Sequence, residues 1–166
     1  VRAGVRSIEH GIYLDDEAID LMLEHGTFLV PTLQAPRAVI KAAEEGANMP
    51  QSVIDKAKTV IDAHHDSIVR AHEAGVRIAM GTDAGVGPHG ENLEEISLLA
   101  GAGLSGAEAL AAGTSVAADL LGHDDRGRIA PDLLADLVLI DGDLSTDDVR
   151  GIEDRVSQVW LGGVRV

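Results

Sequence analysis

Cysteine is absent from the 166 residues, and the aromatic side chains come to one Trp, one Tyr and one Phe. Without cysteine there is no disulfide, no thiolate nucleophile and no Cys-type metal site, and the redox compartment stays open. With so few aromatics, the core has to be aliphatic, built from Val, Ile, Leu and Ala. Positive charge is scarce as well: 13 Lys and Arg stand against 28 Asp and Glu, a formal net charge of -15. That balance argues against nucleic-acid and anionic-membrane partners, because phosphates are repelled rather than neutralised. The seven histidines change this only at acid pH. No apolar run approaches bilayer length. There is no initiator Met, and residues 1–4 read as the end of a helix leading straight into a strand. The true start is therefore expected upstream, no targeting signal can be read, and localisation stays unknown.

What is present is 45% hydrophobic residues, enough for the core of one ordinary domain. The chain is organised around residues 76–85, Val-Arg-Ile-Ala-Met-Gly-Thr-Asp-Ala-Gly, an apolar run that stops at a carboxylate between glycines. A run of this length between turn-formers suits a buried parallel strand. Asp83 then stands at the strand's C-terminal end, where parallel sheets place their chemistry. It is a candidate working residue, or else it caps a turn. Residues 7–11, Ser-Ile-Glu-His-Gly, repeat the design with His10 at the end. A His and an Asp at the ends of different strands are donors that a divalent cation takes, neutral imidazole and carboxylate.

Between and beyond these two stretches, strands and helices alternate. Asp15, Asp16 and Glu17 open a helix with acids in its first turn, and Gly26 closes it. Residues 27–30 form the next strand, stopped by Pro31. Residues 32–49 carry a short helix around 38–45, as a lid or as an extra helix over the strand ends. Pro50 begins a long amphipathic helix with Val53, Ala57, Val60, Ile61, His64 and Ile68 on one face, ended by Gly75. After the central strand come a Gly-rich loop and a helix over 92–102. Two more helices are capped by Ser105 and Thr114, and Gly122 closes the second. This order predicts a parallel α/β fold. After the polar spacer at 123–126 the texture turns to β: a strand over 135–140, another over 156–161, and a final hairpin at Gly162-Gly163.

The motifs Ser-Ile-Glu-His-Gly and Gly-Thr-Asp-Ala-Gly, a Ser-capped Ala-rich helix pair ending in Leu-Gly, and residues 127–143, Gly-Arg-Ile-Ala-Pro-Asp-Leu-Leu-Ala-Asp-Leu-Val-Leu-Ile-Asp-Gly-Asp, together resemble the metal-dependent amidohydrolase superfamily. More narrowly, they are similar to its imidazolonepropionase-related branch of prolidase-like dipeptidases and metallocarboxypeptidases. The resemblance covers essentially the whole chain, in the family's order. It implies the C-terminal part of a (β/α)8 barrel, strands six to eight, with part of a small flanking β-sandwich. Residues 1–122 would be the partial barrel and 123–166 the sandwich segment. By the same match, His10 resembles the sixth-strand metal ligand and Asp83 the eighth-strand acid that binds metal and shuttles the proton. The implied cofactor is a divalent metal, zinc in the first place, as one or two ions in the complete enzyme. The implied reaction is hydrolysis of the amide bond of a dipeptide or N-acyl amino acid. Cyclic-amide opening of the imidazolonepropionase kind and deamination are its competitors, and a non-catalytic structural or assembly fragment is the third reading.

The family's other ligands, the His-x-His pair, the bridging Lys or Glu and a further His, have no counterpart here. Two ligands cannot fill a catalytic site, so this chain by itself is expected to be inactive. Three strands cannot close a barrel, so its sheet edges are expected to be hidden by homo-oligomerisation or by association with the missing part. His89, in the loop after Asp83, either holds a substrate carboxylate or an oxyanion, or is incidental to a Gly-rich turn. Tyr13 is a substrate contact or a rim aromatic packed on the helix. Thr32 and Gln34 are candidate pocket-lining residues. His64 and His65, adjacent on one helix, cannot both face one metal and read as helix-face residues. His123 and the acids Asp124, Asp125, Asp147 and Asp148 read as solvated loop groups, without calcium-loop spacing.

Overall fold

The computed structural model describes residues 1–144 and 148–166; Asp147 lies outside the described residues. Strand β1 (Ser7–Glu9) leads through helix α1 (Asp16–His25) to β2 (Phe28–Val30), and the two strands pair in parallel. Helix α1 forms where the acids announce it. The Asp15 side chain accepts from the Ala18 amide at 2.8 Å, and Gly26 takes the left-handed conformation that ends the helix. Helices α2 (Gln34–Glu44) and α3 (Gln51–Ala74) follow, the second closed by Gly75 at φ 92. Beyond the central segment lie α4 (Glu94–Gly101), α5 (Gly106–Ala112) and α6 (Ser115–Leu121).

The central segment pairs with β2 more sparingly than its apolar run suggests. Only Ile78 bridges to Leu29, in parallel, with Leu29 N–H donating to the Arg77 carbonyl and Ala79 N–H to the Leu29 carbonyl, both at 2.9 Å. The ladder stops there because Pro31, next in line on β2, has no N–H to donate, while the Met80 amide, on the opposite edge, donates to the Ala112 carbonyl at the end of α5 at 2.9 Å. Three parallel segments thus lie side by side in the order β1, β2, Ile78. Leu29, Ile68 and Leu99 are fully buried around them, each worth about 1.5–3 kcal/mol over exposure.

Two boundaries differ from the sequence expectation. Helix α2 starts at Gln34 rather than near residue 38, because its first amides are capped by a carboxylate from a distant segment. Thr114 does not cap α6: its hydroxyl donates back to the Leu110 carbonyl at 2.8 Å, a competition usual for Thr at a helix end. Ser105 does cap α5, through a reciprocal box with Glu108.

The C-terminal part is an antiparallel sheet of β3 (Leu137–Ile140), β4 (Val156–Leu161) and β5 (Val164–Arg165), with a 3-10 turn over Ile152–Arg155. Gly162 and Gly163, at φ 56 and 80, make the hairpin turn that requires positive φ at both positions. Val149 and Ile152 are buried in the same core as Leu99 and Leu104. By contrast Val138, Leu139, Leu161 and Val164 are all exposed. Asp125 and Asp148 are not simply solvated, since they pair with Arg126 at 2.9 Å and Arg150 at 2.8 Å.

At Gly81 an added Cβ would stand 2.5 Å from Val30 Cγ1, so the end of the central segment lies against β2 only because that side chain is missing. Gly81→Ala should cost about 1–3 kcal/mol by overpacking, read as a lower denaturation midpoint at constant m. Gly101→Ala, where nothing lies within 4 Å, should instead be neutral or stabilising by up to about 1 kcal/mol.

Candidate functional site

Parallel pairing puts the residues that follow each segment at one end of the sheet. With Glu9 level with Val30 and Leu29 level with Ile78, those residues are His10, Thr32 and, a little further out, Asp83. All three have left-handed backbones, at φ 67, 55 and 54. Among the described residues only one other non-glycine residue, Asp132, shares a positive φ. Such conformations cost on the order of 1–3 kcal/mol each, and for β-branched Thr32 the conformation is an outlier. Strain repeated at neighbouring strand ends marks a place where side-chain direction matters more than backbone comfort.

His10 is held from three sides. Its N–H donates to the Val30 carbonyl at 2.8 Å, its carbonyl accepts from His64 Nε2 at 2.8 Å, and its ring Nδ1 lies 2.6 Å from Thr32 Oγ1. Nε2 has no hydrogen-bond partner among the described residues. His64 is therefore more than a helix-face residue: it is 1% exposed and reaches from α3 to the backbone beside the site. Burial lowers its pKa, against hydrogen bonding to the His10 and Pro31 backbones, so the ring is held neutral. His65 points elsewhere, to the Gly101 carbonyl at 3.3 Å, as adjacency on a helix demands.

Asp83 is exposed, and its carbonyl closes a turn by accepting from Val86 N–H at 3.0 Å. Its carboxylate has no hydrogen bond or ion pair among the described residues. The backbone thus makes the turn, and the side chain stays uncommitted within it. His89 is exposed on the same loop, which is anchored just beyond it: Gln34 Nε2 donates to the Glu91 carbonyl at 2.9 Å, and Lys41 pairs with the Glu91 carboxylate at 3.2 Å. Gln34 therefore braces the loop and is itself buried. Tyr13 is 71% exposed just past β1, with little of its ring packed. A groove lined by Gln34, Arg37, Lys41, Ile61, Glu91 and Glu94 sits behind the loop, and neither His10 nor Asp83 lines it.

An imidazole nitrogen whose ring is anchored through the other nitrogen, and a carboxylate with no competing partner, suit a divalent cation. They supply two positions where a catalytic ion needs at least three protein ligands. Among the described residues no three His, Cys, Asp or Glu side chains converge.

Glu95 is the residue that sequence reasoning missed. It is fully buried in the first turn of α4, and its two oxygens accept from the Leu33 and Gln34 amides, each at 2.8 Å. Those amides are the unsatisfied donors at the start of α2. Burial pushes its pKa up to about 7, against the two amide bonds that favour charge, with Glu94 adding to the rise and Arg37 opposing it. Its only signal in the sequence is position: Glu95, Leu99 and Ala102 fall on one helical face.

A model described as the amidohydrolase family matches residues 1–166. A Mycobacterium tuberculosis protein described as uncharacterized is 37% identical over 130 residues, covering 76% of this chain and 35% of that protein. Ochratoxinase of Aspergillus niger is 29% identical over 170 residues, 98% of this chain and 34% of the enzyme. Among solved structures, a Xaa-Pro dipeptidase with methionine bound in its active site superposes with a TM-score of 0.87 at 36% identity, over 99% of this chain and 40% of that one. The chain therefore spans about a third of the length of these two relatives.

The raised pKa of Glu95 sets a pH dependence of stability. The folded value of about 7 lies above the ordinary 4.5, so between those limits the folded state keeps a proton that the unfolded chain has released. Stability from this group is full below about pH 4.5 and is lost as pH rises through about 7, a swing of at most about 3 kcal/mol. Glu95→Gln should remove that swing, so the gap in urea midpoint between wild type and variant should change across this window. A constant gap would contradict the assignment.

Proposed function

The chain belongs to the amidohydrolase family, and from that premise we propose that it is the C-terminal part of a metal-dependent hydrolase cleaving the amide bond of a dipeptide or N-acyl amino acid. In this reading β1, β2 and the Ile78 segment are strands six, seven and eight of the barrel, within residues 1–122. Residues 123–166 contribute to the flanking β-sandwich. The observation that carries the reading is the set of left-handed residues at one end of neighbouring parallel segments, two of which, His10 and Asp83, present donor atoms without partners. Likeness to a Xaa-Pro dipeptidase favours a peptide-like substrate over a cyclic amide.

His10 Nε2 and the Asp83 carboxylate would hold a divalent cation, zinc in the first place. When bound, such an ion supplies Lewis acidity, which polarises a carbonyl and acidifies water. The Asp83 carboxylate takes the proton of the attacking water and returns it to the amide nitrogen as the C–N bond breaks, first as general base and then as general acid. Its lack of a competing hydrogen bond leaves it available for both transfers. His89 serves the substrate carboxylate or the developing oxyanion, from a loop that Gln34 and Lys41 hold in place. Tyr13, exposed after β1, is a second substrate contact. The remaining ligands would come from protein outside these residues, by continuation of the chain or by association with another copy.

Supplied with those parts, the enzyme should hydrolyse members of a small dipeptide library and lose that activity to a chelator. Asp83→Asn, which tolerates a left-handed backbone, should lower kcat about 100- to 10,000-fold with an unchanged denaturation midpoint. Full activity in chelator, or in the Asn variant, would rule the mechanism out.

A further inference from the structure

Thr32 combines features that its place in a pocket wall would not require. It is 4% exposed, β-branched and left-handed at φ 55, where a glycine would be unstrained. The backbone on its far side is pinned, because Leu33 and Gln34 give their amides to Glu95 at 2.8 Å each, and Ala35 N–H donates to the Thr32 carbonyl at 3.1 Å. The elbow between β2 and α2 is thus clamped by a buried carboxylate from α4, and the strained residue is the one that points back at His10.

The hydroxyl has a single proton, and that proton is committed. Thr32 Oγ1 donates to the Pro31 carbonyl at 2.6 Å, so toward His10 Nδ1, also at 2.6 Å, it can only accept. Nδ1 must then carry the ring proton, and in the neutral imidazole Nε2 is left with its lone pair bare. The His10 backbone is fixed independently, by Val30 on one side and His64 on the other. Ring rotation and tautomer are what remain, and Thr32 is the group that settles both.

We propose that Thr32 is a positioning residue, whose hydroxyl selects the Nδ1-protonated tautomer of His10 and aims its Nε2 lone pair at the cation, with Glu95 clamping the elbow that presents it. The proposal rests on the reading of His10 as a metal ligand, and the two can fail separately. Groups that orient a ligating histidine through its other nitrogen typically contribute 10- to 100-fold in metal affinity.

In the complete protein, zinc affinity would be measured by competition with a chromophoric chelator, and the His10 tautomer by NMR of the metal-free protein carrying heavy-nitrogen histidine. Wild type should show His10 protonated at Nδ1. Thr32→Val, which keeps the shape and drops the hydroxyl, should weaken zinc about 10- to 100-fold and mix the tautomers, while Thr32→Ser should stay within about threefold of wild type. A wild-type ring protonated at Nε2, or a valine variant with unchanged affinity and tautomer, overturns the proposal; the first holds even if the valine variant does not fold. Full zinc affinity in His10→Ala overturns the ligand reading instead, and leaves the tautomer measurement as the test of Thr32.

Discussion

Two amides at the start of α2 have no helical partner, and a buried carboxylate 61 and 62 residues further along the chain answers them. The rest of the candidate site depends on that bond pair. It joins α4 to the end of β2, holds the chain through the strained turn at Thr32, and leaves the Thr32 hydroxyl against the His10 ring. Burying a carboxylate is unfavourable, and the upward displacement of its pKa reports that cost. The arrangement persists because removing it would leave two buried donors unpaired at the same place. Gly81 works to the same end from the opposite side, letting the segment that carries Asp83 close onto Val30.

Much of this could be read in the sequence where the determining residues are local. Asp15 and Gly26 bound α1, Gly75 ends α3 and Ser105 caps α5, because each acts within a few residues of its own position. His10 and Asp83 were legible as strand-end residues, since a short apolar run followed by a polar residue and glycine is a local pattern. What escaped was mostly long-range. The start of α2 is set from α4, 61 and 62 residues away, whereas the Thr114 hydroxyl is lost to a near acceptor, the Leu110 carbonyl four residues back. His64 looked like one more face residue of an amphipathic helix; only its 2.8 Å bond to the His10 carbonyl gives it a part in the site.

The same contrast separates the two regions of the chain. Around β1, β2 and the Ile78 segment, helices cover the apolar surface and the core closes over Leu29. In the antiparallel sheet, Val138, Leu139, Leu161 and Val164 face outward, and apolar strands of this kind are usually covered by another element. Buried Val149 and Ile152, with half-buried Ile140 and Leu144 packed beside them, tie that region into the main core. The unpartnered His10 ring nitrogen and Asp83 carboxylate and the uncovered apolar strands are the same kind of observation, groups that the described residues leave without a partner.

The most direct test of the account is the position of the ion. Anomalous diffraction at the zinc edge, from crystals of the complete enzyme grown with zinc, should place a scatterer about 2.0–2.1 Å from His10 Nε2 and about 2.0–2.2 Å from an Asp83 carboxylate oxygen. An ion bound by neither residue would contradict the account.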